Sequence, residues 1–253
     1  MTVPIIIEVA DGILSITWND PKRLNAFSTA MLSAAAGAIE TASDDVRVIF
    51  LGGAGRAFSS GGEVSGLGAE VLDSGHRFVR AITRARHPVI CGVNGPAVGI
   101  ACSIAAAADL TLAKRSSYFL MPFLALGLMP DGGSTELLAA SIGRARAHEM
   151  MMLGERLPAD TAAQWGLIYK SVPDDAYDDE LRLLVNRIRN GPTQALGVTK
   201  KATAATTLSH LDEALDRERA MQLSLFETSD GREGRRAFLE KRKAVFAAPR
   251  TSP

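Results

Sequence analysis

The sequence predicts an α/β fold with a helical C-terminal region, and three observations lead there. Short β-branched apolar runs alternate with Ala-rich or amphipathic windows over about the first 190 residues. Two glycine-rich turns each follow a strand-like run and precede a helix-like one. Beyond Asp178 the apolar residues recur only at helical spacing.

Ile5–Val9 and Ile13–Trp18 read as strands, and Asp11-Gly12 between them is a hairpin signal. Asn19-Asp20-Pro21 breaks the chain, and Ser28–Thr41 reads as a helix with Ser28 as N-cap. Val46–Leu51 is a strand that stops at Gly52-Gly53. After the glycine-rich stretch 52–69 a helix is expected through His76–Arg84, with Glu70, Asp73 and His76 before or at its start. His76 there reads as a solvated helix-end histidine. Val89–Val93 is a strand, Gly99–Ala107 a small-residue helix and Asp109–Ala113 a further strand. Glu180–Arg189, Pro192–Ala204, Leu211–Phe226 and Arg232–Phe246 read as helices ahead of a frayed AAPRTSP tail. The expected division is a core over residues 1–190 and a helical region over 191–253.

Composition narrows the function. The 253 residues are 47% hydrophobic and 22% charged, with 28 basic and 28 acidic side chains and zero net charge. No general electrostatic attraction to nucleic acid or an anionic membrane is expected. The N-terminal MTVPIIIEVADG has no basic segment followed by a long apolar one, so no secretory signal is expected. The most apolar window, Val89–Leu112, is broken by Asn94, Gly95, Pro96 and Gly99, unlike a membrane span. Two cysteines, Cys91 and Cys102, exclude a disulfide framework and fit a reducing, cytoplasmic setting. His87, His148 and His210 have no neighbours at metal-ligand spacing, and no metal or cofactor is expected.

The glycine-rich turns, Arg56–Glu63 and Asn94–Gly99, lack Walker A and GxGxxG patterns. Each can bring backbone N–H groups close to a ligand, and a pair of such donors suits a developing oxyanion. Tight strand-to-helix connections that need glycine for sterics alone would have the same composition.

Five segments occur in an order and spacing that resemble the crotonase (enoyl-CoA hydratase/isomerase) family: RAFSSGGEVSGL, VNGPAVGIACSIAAAADL, LGLMPDGGSTELLAASIG, AAQWGLIYKSVP and TSDGREGRRAFLEKRKAVF. The resemblance runs from Trp18-Asn19-Asp20-Pro21 to Phe246. It implies a crotonase-like spiral core of ββα units, a C-terminal trimerisation region, and a homotrimer or a dimer of trimers. It also implies an acyl-CoA thioester substrate, with coenzyme A as part of that substrate. Carried over by position, the oxyanion donors are the Gly62 and Ile100 N–H groups. CoA contacts fall on Lys22, Arg23, Leu24 and Ser60, and on Phe238 and Lys241, which in relatives reach a neighbouring subunit's CoA. Outside the motif Lys22 and Lys241 read as ordinary solvated charges. Glu63 stands where the family usually has Asp and is expected to brace the first loop.

The two hydratase glutamates of the family are replaced by Ser103 and Phe123. Ser103 is able to hold a water but is no base near neutral pH, and Phe123 offers only apolar surface. Phe119, Met121, Phe123 and Met129 outline an apolar acyl pocket or core. One acid remains at a position the family uses, Asp131: in relatives of the ring-opened-phenylacetyl type it is the base, and in the 4-chlorobenzoyl-CoA dehalogenase branch the nucleophile. A carboxylate in an apolar pocket has a raised pKa and is a better base. Equally, an Asp ahead of Gly132-Gly133 reads as a helix cap. The leading expectation is an enoyl-CoA isomerase using Asp131; the alternatives are an enoyl-CoA hydratase of fatty-acid oxidation with a non-standard site, and a non-catalytic acyl-CoA-binding protein.

Overall fold

The computed structural model describes residues 3–66 and 68–246. Leu67, which ends the first motif, and the 247–253 tail lie outside them. The elements in chain order are β1 (Ile5–Ala10), β2 (Ile13–Trp18), α1 (Thr29–Glu40), β3 (Val48–Gly53), α2 (Ala69–Arg84), β4 (Val89–Val93), β5 (Ala97–Val98), α3 (Ile100–Ala107), β6 (Leu110–Lys114), β7 (Tyr118–Leu120), α4 (Ser134–His148), β8 (Leu157–Pro158), α5 (Ala159–Trp165), β9 (Lys170–Val172), α6 (Tyr177–Arg189), α7 (Thr193–Thr207), α8 (Leu211–Phe226) and α9 (Ser229–Leu239).

The main sheet has the order β1-β2-β3-β4-β6-β9. Only β1–β2 is antiparallel. Its turn residues Asp11 and Gly12 have φ of 51° and 76°, the double positive φ of a two-residue hairpin turn. The other pairings are parallel and need crossovers, which α1, α2 and α3 and, between β6 and β9, α4 and α5 supply. Parallel strands covered on both faces read as continuous apolar runs, and every residue of β4 is buried. The period of two distributes neighbours between the faces. Ile49, Cys91 and Ala113 join Trp18, Phe27, Leu32 and Phe78 in the larger core beneath α1–α4. Val48, Ile90 and Leu112 meet Tyr177, Leu184 and Val185 of α6 on the other face. Trp18 packs edge-on to Phe27 and Phe78 at centroid distances of 4.8 and 5.6 Å, contacts of about 0.5–1.5 kcal/mol each beyond area burial.

A small sheet, β5-β7-β8, lies beside the second glycine-rich turn, and β5 falls within that turn. Two helices depart from expectation. α2 begins at Ala69, so His76 lies mid-helix and only 2% exposed rather than solvated at a helix end. α9 covers Ser229–Leu239 and stops well before Phe246. Lys241 takes φ 55°, and the Lys241 and Arg242 N–H groups donate to the Phe238 and Ala237 carbonyls at 3.1 and 3.0 Å. That is a left-handed helix stop, and it turns 242–246 back on the body. Among the described residues no helix is long and apolar enough to cross a membrane.

Candidate active site

The two glycine-rich turns are stitched side by side. The Ser59 N–H donates to the Pro96 carbonyl and the Val98 N–H to the Ser59 carbonyl, both at 3.0 Å. Gly61 has φ +91°, and a Cβ there would sit 2.7 Å from the Val98 oxygen, so the turns approach this closely only with glycine. The N–H groups of Gly61, Glu63, Gly99 and Cys102 around them are taken. Gly61 donates to Ser59 Oγ at 3.0 Å and Glu63 to the Phe27 carbonyl at 3.0 Å. In the second turn Gly99 donates to the Leu120 carbonyl at 2.8 Å and Cys102 to Gly99 at 2.9 Å. The Gly62 N–H and the Ile100 N–H, the latter at the first residue of α3, are left without a partner among the described residues. Both residues line one cavity of about 460 Å³.

The walls of that cavity are largely apolar and include Val71, Leu72, Val98, Leu126 and Leu128. The Phe123 ring lies over Gly99, about 3.7 Å from where a Cβ would be. Phe119 and Met121 are fully buried in the core and line no part of it, and Met129 is also absent from the wall. Of the four residues expected to outline the pocket, only Phe123 does so.

Asp131 is the single carboxylate among the described residues that line the cavity. It is 6% exposed. Burial lifts its pKa to about 7; an N–H from Gln222 pulls it down and the nearby Glu218 carboxylate pushes it up. The helix-cap alternative belongs to another residue. Glu218 of α8 accepts the Gly133 N–H at 2.7 Å and the Thr135 N–H at 2.9 Å at the start of α4, whereas the Asp131 side chain makes no cap bond. The Asp131 main chain is fixed by Ser103, whose hydroxyl donates to the Asp131 carbonyl at 2.9 Å. Ser103 is fully buried and so occupied with the backbone rather than with a water.

The remaining expected residues fall in two groups. Ser60 and Phe238 line the cavity with Gly62, Ile100, Phe123 and Asp131. Lys22, Arg23, Leu24 and Lys241 do not. The 22–24 segment is tied to the first turn, because the Ser60 N–H donates to the Leu24 carbonyl at 2.9 Å and Arg23 pairs with Glu63 at 2.7 Å. Lys241 forms the helix stop, and the cations on the wall are Arg242 and Lys243. Phe238 lines the cavity of its own chain and is 56% exposed. α9 packs on the Phe123–Leu126 turn so tightly that a Cβ on Gly234 would lie 2.2 Å from the Leu126 backbone. Glu233 then clasps the returning segment: it accepts from Arg242 at 2.6 Å, Arg236 at 2.7 Å and the Val245 N–H at 3.1 Å.

Glu218 and Gln222 were not singled out from the sequence. Their signal was present, since both share the buried face of α8 with Leu211, Leu215 and Phe226. Polar residues on an apolar helix face are there for a partner.

A family model described as enoyl-CoA hydratase/isomerase matches residues 8–249. The 1,2-epoxyphenylacetyl-CoA isomerase of Escherichia coli is 36% identical over 255 residues, covering 96% of this chain and 97% of that one. The trans-2-decenoyl-[acyl-carrier-protein] isomerase of Streptococcus mutans is 30% identical, with coverages of 96% and 97%. The crystal structure of an enoyl-CoA hydratase from Mycobacterium avium subsp. paratuberculosis is 40% identical and matches with a TM-score of 0.92 over 97% of this chain and 99% of that one. With its crotonase-like core and its ordered motifs, the chain belongs to the enoyl-CoA hydratase/isomerase family.

Proposed function

We propose that this protein is an enoyl-CoA isomerase that moves a double bond from the 3- to the 2-position of an acyl-CoA thioester. Asp131 removes a proton from the carbon α to the thioester. The C–H electron pair passes to the thioester oxygen, and the Gly62 and Ile100 N–H groups stabilise the dienolate. The same carboxyl returns the proton to the γ-carbon as the pair flows back, leaving the double bond conjugated. One acid/base suffices for this 1,3-shift, and no cofactor takes part. Of these terms the preorganised donors are the largest, and losing one costs on the order of 10²–10³ in rate.

The observation that carries the reading is a single buried carboxyl facing an apolar cavity, with a pKa of about 7 that lets it both take and return a proton. Hydration is the second reading, favoured by the 40% identical relative named as a hydratase; in this family it uses two carboxylates. Enoyl-thioester absorbance separates the readings. Gain of the conjugated chromophore from a 3-enoyl-CoA, abolished in Asp131→Ala, supports the isomerase. Loss of chromophore from a 2-enoyl-CoA, with a 3-hydroxy product, replaces it with the hydratase. Silence in both runs, with binding of the CoA esters, replaces it with an acyl-CoA-binding protein.

A further inference from the structure

We propose that Gln222 is a positioning residue that pins one carboxylate oxygen of Asp131, leaving the other, Oδ1, as the atom that carries the proton in both directions; this rests on the isomerase reading above. The Gln222 side chain is 1% exposed and all of its bonds go to the segment bearing Asp131. Its Oε1 accepts the Met129 N–H at 3.1 Å. Its Nε2 donates to the Met129 carbonyl at 2.7 Å and to Asp131 Oδ2 at 3.0 Å. A primary amide has two N–H donors, and both are used. The Met129 pair fixes the amide plane, so the N–H aimed at Asp131 has a set direction. Oδ2 is thereby occupied, and Oδ1 has no partner among the described residues.

This arrangement answers a requirement of the 1,3-shift. The base must reach the α- and γ-carbons on one face of a planar dienolate without exchanging which oxygen it presents. A freely rotating carboxyl would lose that alignment. Ser103 on α3 holds the Asp131 main chain, and Glu218, one turn before Gln222 on α8, holds the start of α4. α8 therefore carries two residues that fix the segment around the reacting carboxyl.

Gln222 also donates to the charged form of Asp131 and favours it. The other ionisable groups around this site are Glu218 on α8, which disfavours ionisation of Asp131, and Arg242 and Lys243 on the cavity wall. On α2, Asp73 is paired with Arg219 of α8, and buried His76 is held neutral, its pKa lowered to about 4.

The test is the pH dependence of kcat/KM for 3-enoyl-CoA isomerisation in Gln222→Met and Gln222→Leu. The first keeps length without any amide donor; the second keeps the branched outline of the amide, likewise without a donor and without a new charge beside Asp131. The expected result is a rising limb moved to higher pH by about one unit, and a several-fold lower plateau, with circular dichroism and CoA-ester binding unchanged. If Gln222→Met does not fold, Gln222→Leu decides alone. A limb that stays at its wild-type position in a folded variant overturns the proposal, because a residue that merely braces Met129 would alter stability or plateau and leave the limb in place. The two failures are distinguishable: an active Asp131→Asn sinks the isomerase reading itself, whereas an inactive Asp131→Asn with an unmoved limb in the Gln222 variants sinks only this proposal.

Discussion

Replacing Asp131 by Asn tests the site through stability as well as rate. The two side chains are nearly isosteric, and the Gln222 amide is able to donate to the Asn carbonyl oxygen as it does to Oδ2. The wild-type carboxyl is 6% exposed, and its pKa rises from 3.8 to about 7 on folding. Between those values the unfolded chain has released the proton and the folded protein retains it. Folding therefore binds a proton there, and stability falls as pH rises through the window. The shift corresponds to about 4 kcal/mol once pH exceeds the folded value. Asn has no such proton. The stability of Asp131→Asn minus that of wild type should climb from near zero at about pH 4 to about 4 kcal/mol at pH 8. Urea denaturation of both proteins over this range measures the difference, and every titrating group not coupled to Asp131 cancels from it, which leaves Glu218 as the one neighbour that contributes. In parallel, wild-type kcat/KM should rise with pH to a limb near 7 and then level, while the variant loses about 10²–10⁴ of it. A difference that stays flat with pH, or a wild type that becomes the more stable protein at high pH, would refute the buried, proton-holding carboxyl on which the mechanism depends.

Gly61→Ala places a Cβ 2.7 Å from the Val98 oxygen at φ +91°, which forces the two turns apart and moves the Gly62 N–H. Steady-state kinetics should show kcat lower by about 10²-fold with KM little changed. Glu233→Gln removes the charge that holds Arg242 and Arg236. KM for the acyl-CoA should rise severalfold, and limited trypsin digestion should cut faster at Arg242 and Lys243. Lys200→Met leaves the Asp109 carboxylate with the Val89 N–H but without its 2.8 Å ion-pair partner. Lys200 is 9% exposed but Asp109 stays in contact with solvent, so urea denaturation should show a loss of only about 1–2 kcal/mol, little of it recovered in a double variant with Asp109→Asn.

How much of this was legible follows from where each signal resides. The main sheet was readable because strands covered on both faces need unbroken apolar runs such as Val89–Val93, and because Asp11-Gly12 has the chemistry its turn demands. β5 and β8 have two residues each and β7 three, too few to set up a period. The stop of α9 was invisible for a different reason: the left-handed position is filled by Lys241, in a Leu-Glu-Lys-Arg run that looks helical throughout. His76 was misplaced by starting its helix too late; with α2 running from Ala69, it falls four residues after buried Leu72 and three before buried Val79.

The site divides in the same way. An oxyanion donor made of backbone carries no side-chain signature, and glycine shows only that such a donor is sterically allowed. Gly62 holds the open N–H because Phe27, from an earlier part of the chain, takes the N–H of Glu63, while Ser59 takes that of Gly61. Asp131 poses the same problem with a side chain. Its local sequence fits a cap and a base equally well, and a distant helix separates them: Glu218 accepts the N–H groups that a capping Asp131 would need, and Gln222 binds the oxygen that a freely turning Asp131 would expose. Glu218 and Gln222 lie four residues apart on the buried face of α8, where neither would be tolerated without partners. The aspartate could therefore be found by position in the chain, but the contacts that leave its carboxyl uncapped and half-paired come from α8, and variants at 218 and 222 should alter the titration of 131 although neither is adjacent to it in sequence.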